Sequence, residues 1–564
     1  MPMKRRYSNS SVAPPAIAPS PAAALGGLNT ELDKLSPRFD ISSSQIKILR
    51  SPSDFYETLK ANSLRGTRET PKASCATLLA ALIDEFGPDR VEVCMYHTPN
   101  LTGIRKSIIP KRINEGWGLQ HMKLYGIDDE IIMSGANLSS DYFTNRQDRY
   151  HLISSKRITD YFSKVHETVC SISYRVVPNA SAPGGFNLDW PTTNAHPAPL
   201  NDPKEFITQA TKLLAPLLKP AATTSLQTSQ TDTQIYPLLQ LTPLLKPDTS
   251  TELPALTTIL KALATPAFAG SKWTFTAGYF NMTPWLRDLL LASNPSSANV
   301  IAASPWANGF YGSPGVSGML PAAYTLLGRR FLSSVKKAGL ENQITLKEWR
   351  KGTVNTPDGW TYHAKGIWLT LKDQPGPSVS LIGSSNYTKR SYSLDLEANA
   401  MIVTRDVGLM KRLREEEEWL QEYATKVDQG TFEKTERRVG LHVRIAMWIV
   451  TLVGGALLAG LGATELGGLD GGLDLAGGLL DGGSALDGLH VQVLAVTALG
   501  VAGDGVVDEL ARGGGGLEGG LAVRLGGLVP VLAELGGDLD LVVNGVDAEG
   551  LGVGERRVLG DWSQ

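Results

Sequence analysis

The sequence predicts an α/β fold: two similar halves, each a mixed sheet flanked by helices, sharing one active site. Three observations predict it. His121-Met-Lys123 is followed by Gly135-Ala-Asn137, and His363-Ala-Lys365 by Gly383-Ser-Ser-Asn386, so one pattern occurs twice. Eleven residues beyond each asparagine stands an acid, Asp148 in the first copy and Glu397 in the second. Around both copies, alternating apolar segments that read as strands are interspersed with segments of helical period. A single His-x-Lys triplet arises easily by chance; two copies with matched followers are a specific signal.

Composition sets the bounds. A chain of 564 residues can hold two or three domains. A net charge of −2 gives no general attraction to nucleic acid, and none is expected as a partner. Cys75, Cys94 and Cys170 are far apart and form no metal-ligand pairs, which fits reduced thiols in a non-oxidising compartment. No metal and no cofactor is expected.

Residues 1–37 are expected to be a disordered N-terminus. No acid precedes Glu31, and Lys4, Arg5 and Arg6 lead into Ser, Ala and Pro, the composition of a transit peptide. The first half spans 38–176. Ile46–Leu49 reads as a strand, and Ser51–Lys60 as a helix capped by Ser51 or Ser53. Cys75–Phe86 has helical period and stops at Gly87-Pro88; Arg90–Tyr96 alternates as a strand. Arg105-Lys106 and Lys111-Arg112 suit a solvated loop or a phosphate contact equally. Residues i and i+2 of a strand share a face, so His121 and Lys123 would point one way and Met122 into packing. Strand Glu130–Ser134 then ends in small residues that let the backbone approach a ligand. Tyr150–Ser154 is a further strand. His151 and His166 read as packing or surface residues, and His97 has no assignment.

Residues 177–268 are rich in Pro, Ser, Thr and Ala and read as a linker with short helices, Pro203–Leu218 among them. The second half, 269–430, begins with strand Trp273–Tyr279 and helix Pro284–Ser293, which has Pro in its first turn. Asn299–Ala303 is a buried strand. Phe310–Leu320 is a glycine-rich loop with aromatics of exposed type, suited to substrate entry or membrane contact. Strand Gln343–Trp349, the motif stretch His363–Leu371, strands Ser378–Ile382 and Ala398–Val403, and a charged helix over Asp406–Lys426 complete it. In 431–464, Arg437, Arg438 and Arg444 precede the apolar run Ile445–Thr464, expected as an interfacial membrane anchor, with a spanning helix as the alternative. Residues 465–564 hold no Lys, Phe or Tyr and repeat Gly-Gly-Leu; this tail is expected to be disordered and carries no assigned function.

Two His, two Lys and two Asn brought together would make a cationic pocket for a phosphate diester. One histidine can attack phosphorus while the other protonates the leaving oxygen. Lys123, Lys365, Asn137 and Asn386 would stabilise charge on the equatorial oxygens. Asp148 and Glu397 would fix the histidine tautomers. Arg146 and Arg149 flank Asp148, and Lys389 and Arg390 follow Asn386; all four are phosphate candidates by position.

These residues resemble the phospholipase D superfamily, whose site is built from two H-x-K-x4-D-type motifs. Arg65-Gly-Thr-Arg-Glu, Tyr96-His-Thr-Pro-Asn-Leu, Pro110–His121, Asp141-Tyr-Phe-Thr-Asn-Arg and Ser304-Pro-Trp-Ala-Asn-Gly-Phe-Tyr-Gly look like the mitochondrial phosphatidylglycerophosphate synthases of fungi and animals. The resemblance covers about residues 38–450. It implies transfer from CDP-diacylglycerol to sn-glycerol 3-phosphate at a membrane surface, in mitochondria and at the inner membrane. It implies His121 as nucleophile, His363 as general acid and Asp128 as support for the first motif; the reverse histidine assignment fits the sequence equally. The chain departs from the family twice. Thr370 stands where the second motif would carry its acid. Between Lys60 and Arg65, where a buried strand, a nucleotide-contact stretch, a helix and another strand are expected, only Ala61-Asn-Ser-Leu64 remains. Two rival readings stay open: a phosphodiesterase of the same superfamily using water, and a membrane-associated protein with an impaired first half.

Overall fold

The computed structural model describes residues 20–62, 75–108, 116–194, 196–220 and 231–448. Arg65–Arg68, Lys111-Arg112 and the 465–564 tail lie outside them, as do residues 1–19. A mixed sheet of nine strands forms the larger layer. Its order is Phe39–Ile41, Thr233–Gln240, Glu397–Thr404, Val379–Gly383, Lys365–Thr370, Lys272–Ala277, Ser297–Ala303, Ile344–Trp349 and Ala424–Lys426. A four-stranded sheet runs Ile46–Leu49, Tyr150–Ser154, Glu130–Ser134, Leu124–Ile127.

The duplication is visible in this order. All three pairings of the smaller sheet are antiparallel. They repeat the run Thr233–Gln240, Glu397–Thr404, Val379–Gly383, Lys365–Thr370 of the larger one, also antiparallel throughout. The halves then diverge. In the second, Lys365–Thr370 is covered by Lys272–Ala277, and Ser297–Ala303 and Ile344–Trp349 follow. In the first, Leu124–Ile127 is the last strand among the described residues, and every one of its residues is at least partly exposed. Cys94–Met95, all that forms of the strand expected over Arg90–Tyr96, pairs instead with Tyr174–Pro178 in a separate three-stranded sheet. Residues 264–319 hold two strands and a helix between consecutive long helices of the second half; only 63–74 stand at the matching place in the first.

Four segments differ from the sequence expectation. Helix Pro21–Leu32 lies within the stretch expected to be disordered. Ser20 caps it, and Ala24, Leu25, Leu28 and Leu32 pack into the second-half core, a helical spacing masked by glycines and by the basic, proline-rich stretch before it. Within the expected linker, Thr233–Gln240 is a strand buried at every position, and helix Glu252–Leu263 packs in the core. Pro237 is tolerated there because Phe39–Ile41 pairs only with Thr233–Ile235, leaving an edge beyond. The charged helix is Val407–Leu420, capped by Asp406, and Ala424–Lys426 is a separate edge strand. Phe310 is buried beside Tyr279, so the glycine-rich segment turns that ring inward.

One apolar core joins the sheets, with Ile131, Met133 and Ile153 of the first half packing with Trp349, Trp368 and Ile402 of the second. Helix Pro203–Leu218, as expected, contributes Phe206, Ala210 and Leu214 to it. Residues 441–448 are helical; Val443 and Met447 pack on Ala323 and Leu326, while Leu441 and Trp448 are exposed. Among the described residues no helix is long and apolar enough to cross a membrane. Most of the apolar run, 449–464, lies outside them.

Candidate active site

Neither His-x-Lys triplet sits wholly in a strand. His121 precedes Leu124–Ile127, and His363 falls between the short strand Thr361–Tyr362 and Lys365–Thr370. Each histidine stretch is stitched to the other half instead. Gln120 bridges Leu396, and His121 N donates to Leu396 O at 2.9 Å. Thr361–Tyr362 pairs in parallel with Arg146–Gln147, and His363 N donates to Gln147 O at 2.9 Å. These two matching bridges set each histidine beside the acid of the opposite half. His121 Nδ1 lies 2.9 Å from Glu397 Oε2, and His363 Nδ1 lies 2.8 Å from Asp148 Oδ2. A carboxylate on Nδ1 fixes the tautomer that carries its lone pair on Nε2.

The surroundings are polar and closed. His121, Lys123, His363 and Lys365 are each no more than 3% exposed. Lys365 Nζ lies 2.8 Å and 3.0 Å from the two ring nitrogens of His363. Burial alone would disfavour ionisation of Glu397, but His121, Lys123 and the Ser384 hydroxyl outweigh it and hold its carboxyl below the usual range. Ser384 Oγ donates to Glu397 Oε2 at 2.5 Å. Gly135 lets the backbone come close to the acid and lysine: a Cβ there would crowd both Asp148 oxygens and Lys365 Nζ at 3.1 Å. Asn137 and Asn386 are buried at the ends of their strands. A cavity of about 230 Å³ lies apart from both histidines, lined by Ser304, Trp306, Arg350 and Arg437 among others.

Some expected residues go elsewhere. Asp128 is exposed in the turn joining Leu124–Ile127 to Glu130–Ser134, with φ +51°. It shapes a turn that favours Asp, Asn or Gly. The Thr370 departure has the same explanation: the second hairpin is longer, and its residue of positive φ is Asp373. Arg149 is no phosphate ligand. It is buried, paired twice with Glu416, and stacked 3.8 Å over Trp368. Arg390 is buried, and its Nε bonds Asp395, whose carboxylate accepts from Leu119 N, so it buttresses the approach to His121. Arg146 bonds Asp141 and Thr361 and lies 4.5 Å over the Tyr142 ring. Lys389 is exposed at the start of helix Lys389–Ser393. His151 is a packing residue, 2.9 Å from Glu416.

Two aromatic residues at the site had no signal in the motif. Tyr142 Oη lies 3.2 Å from each His363 nitrogen, and the Tyr279 ring stands edge-on 5.4 Å from the same imidazole. Both sit near recognised stretches, but neither has a partner in the other copy, so the repeat could not mark them.

Comparison with known proteins decides the family. The CDP-diacylglycerol--glycerol-3-phosphate 3-phosphatidyltransferase of Saccharomyces cerevisiae is 46% identical over 399 residues, 69% of this chain and 76% of the relative. The chain belongs to this family. The Schizosaccharomyces pombe 3-phosphatidyltransferase is 35% identical, covering 72% of this chain and 94% of its own. The human one, named as mitochondrial, is 32% identical over 73% and 83%. No protein-family model matches the chain. Among solved structures, a phosphatidylserine synthase from Haemophilus influenzae aligns with TM-score 0.53 at 18% identity, covering 77% of this chain and 99% of that one. That likeness shows the fold alone.

Proposed function

We propose that this chain transfers the phosphatidyl group of CDP-diacylglycerol to sn-glycerol 3-phosphate through a phosphatidyl-histidine intermediate. The observation that carries the reading is the pair of carboxylate-held histidines, each with its lysine, at one junction in a chain of this family. His121 Nε2 attacks the phosphorus that bears diacylglycerol. The bond to the CMP oxygen breaks, and His363 supplies a proton to that oxygen. The glycerol 3-phosphate hydroxyl then attacks the phosphatidyl-histidine while His363 takes its proton. The products are CMP and phosphatidylglycerophosphate, and His121 returns neutral. Lys123, Lys365, Asn137 and Asn386 stabilise the equatorial oxygens. Arg146 holds Tyr142 and the second-motif stretch in place, and Lys389 is the exposed cation nearest in sequence to Asn386 for the acceptor phosphate. No step uses a metal. Because the histidines are buried, the site opens for a lipid headgroup. Leu441 and Trp448 present an apolar face for a membrane surface, in mitochondria at the inner membrane.

The test is CMP release from CDP-diacylglycerol by the purified chain, with and without glycerol 3-phosphate. Release that needs the acceptor and yields phosphatidylglycerophosphate supports the transferase; release into water alone overturns it in favour of a phosphodiesterase. That Leu124–Ile127 is the last strand of its sheet among the described residues favours a second reading, a chain of this family with impaired turnover, which predicts no release from folded protein.

A further inference from the structure

Behind the Glu397–His121 pair lies a second carboxyl group that the reaction does not use. Glu252 opens helix Glu252–Leu263 and is fully buried. Its position is fixed by its neighbours: Thr251 N donates to Leu239 O at 2.8 Å, Leu239 N to Thr251 Oγ1 at 3.0 Å, and Leu253 N to Gln240 Oε1 at 3.2 Å. These bonds tie the helix start to strand Thr233–Gln240, whose other neighbour, Glu397–Thr404, carries Glu397 and Asn399.

The polar groups around it are incompletely paired. Neither Glu252 oxygen, nor Glu397 Oε1, nor Asn399 Nδ2, nor Tyr392 Oη completes a well-formed hydrogen bond. Asn399 Oδ1 accepts from Ser385 N, so its amide nitrogen is turned away from that bond. Glu252 and Glu397 are both fully buried, and Gln240, which binds Leu253 N, lies opposite Glu397 across the sheet; two buried carboxylates on such neighbouring elements carry a large electrostatic cost, relieved when one keeps its proton. Glu397 is held ionised by His121 and Lys123, so the proton belongs on Glu252. We propose that Glu252 is a positioning residue: as the neutral acid it donates to the Oε1 side of Glu397, which keeps Oε2 on His121 Nδ1.

Burial first, and then Glu397, push the Glu252 carboxyl up to about 8; Ser385, Tyr392 and Asn399 oppose that rise only in part. The other titratable groups facing the cluster are Tyr387 and Tyr392, with His121 and Lys123 beyond Glu397. Strand Thr233–Gln240 offers the neutral Gln240. As pH rises through about 8, Glu252 therefore loses its proton, ceases to donate and repels Glu397.

The kinetic consequence rests on the transferase reading, and a spectroscopic one does not. Full-length protein labelled with [13C]histidine would be titrated by NMR, the His121 signal being assigned by its loss in His121→Asn. The wild type should show a step in that signal near pH 8 that Glu252→Gln lacks. In the transferase assay, Glu252→Gln should keep its kcat across this range while the wild type declines. Glu252→Ala, checked by Tm to be folded, should lose kcat about tenfold with KM little changed, as loss of an outer hydrogen-bonding partner does. An alkaline step in Glu252→Gln matching the wild type overturns the proposal, as does equal kcat for the Gln and Ala variants. If the wild type has no turnover, the NMR step alone decides, so failure of the reaction reading and failure of this one are distinguishable.

Discussion

At the scale of single residues, the two histidines differ in what their carboxylates and neighbours allow. His363 has Lys365 and the Tyr142 hydroxyl against its ring, while His121 is gripped by Glu397 with Ser384 behind. The leaving oxygen in the first step belongs to CMP, a phosphate whose second ionisation lies near pKa ~6. It departs with little help from an acid. The acceptor hydroxyl of the second step is far more basic and needs its proton removed. His363→Ala should therefore still release about one equivalent of CMP in a burst and then stall with lipid on His121, whereas His121→Ala should give no burst. Rapid-quench measurement of labelled CMP checks this; a burst in His121→Ala and none in His363→Ala would exchange the two roles. The sequence showed both acids at equal offsets from the asparagines. It could not show which acid grips which histidine, because an offset runs along one half and the grip crosses between halves.

At the scale of elements, strands and helices with strong period were legible, and those disguised by composition were not. Tyr150–Ser154 and Pro203–Leu218 fall where their patterns put them. Thr233–Gln240 was hidden by its proline and by the Ser/Thr-rich residues before it. The charged helix shows what period alone misses. In Val407–Leu420, Glu416 points inward among leucines and closes a clasp between the halves. It receives Arg149 Nε and Nη2 at 3.0 and 2.9 Å, His151 Nε2 at 2.9 Å and Trp368 Nε1 at 2.9 Å. Burial alone would raise its pKa; Arg149 and His151 more than reverse that and hold it far below the usual carboxylate range. A depressed pKa contributes stability that is full above the unfolded value, near 4.5, and is lost as pH falls below it. Glu416→Gln leaves Arg149 buried beside a neutral group, at a cost of about 3–5 kcal/mol at pH 7. Denaturant unfolding should show that deficit at pH 7 and a smaller one at pH 3.5. An equal deficit at both would mean the clasp acts by shape rather than charge.

At the scale of the whole molecule, the duplication was legible because two motifs carry it; the shortening expected before Arg65 falls on residues outside the described ones. What the sequence withheld was how unlike the two sheets are around their motifs. The strands that, among the described residues, only the second half shows lie beside Lys365–Thr370, and Gly278 and Tyr279, which follow the first of them, wall His363. A Cβ on Gly278 would lie 2.7 Å from the His363 Cα, so this loop seats the histidine directly. Leu124–Ile127 is the counterpart of Lys365–Thr370, and among the described residues no further strand pairs with it. A strand at the edge of a sheet is also prone to exchange and association. The alignment with a Saccharomyces pastorianus 3-phosphatidyltransferase spans 486 residues but only 76% of this chain, so the relative carries residues that this chain lacks. Inserting strand-forming sequence from that relative between Lys60 and Arg65 should lay a strand beside Leu124–Ile127. The expected results are slower amide exchange at Leu124–Ile127 and faster CMP release at saturating donor. Slower exchange with unchanged release would mean that the added strand serves stability and that His121 works without it. If neither changes, the edge is already covered in solution, and the asymmetry of the two sheets carries no cost for the reaction.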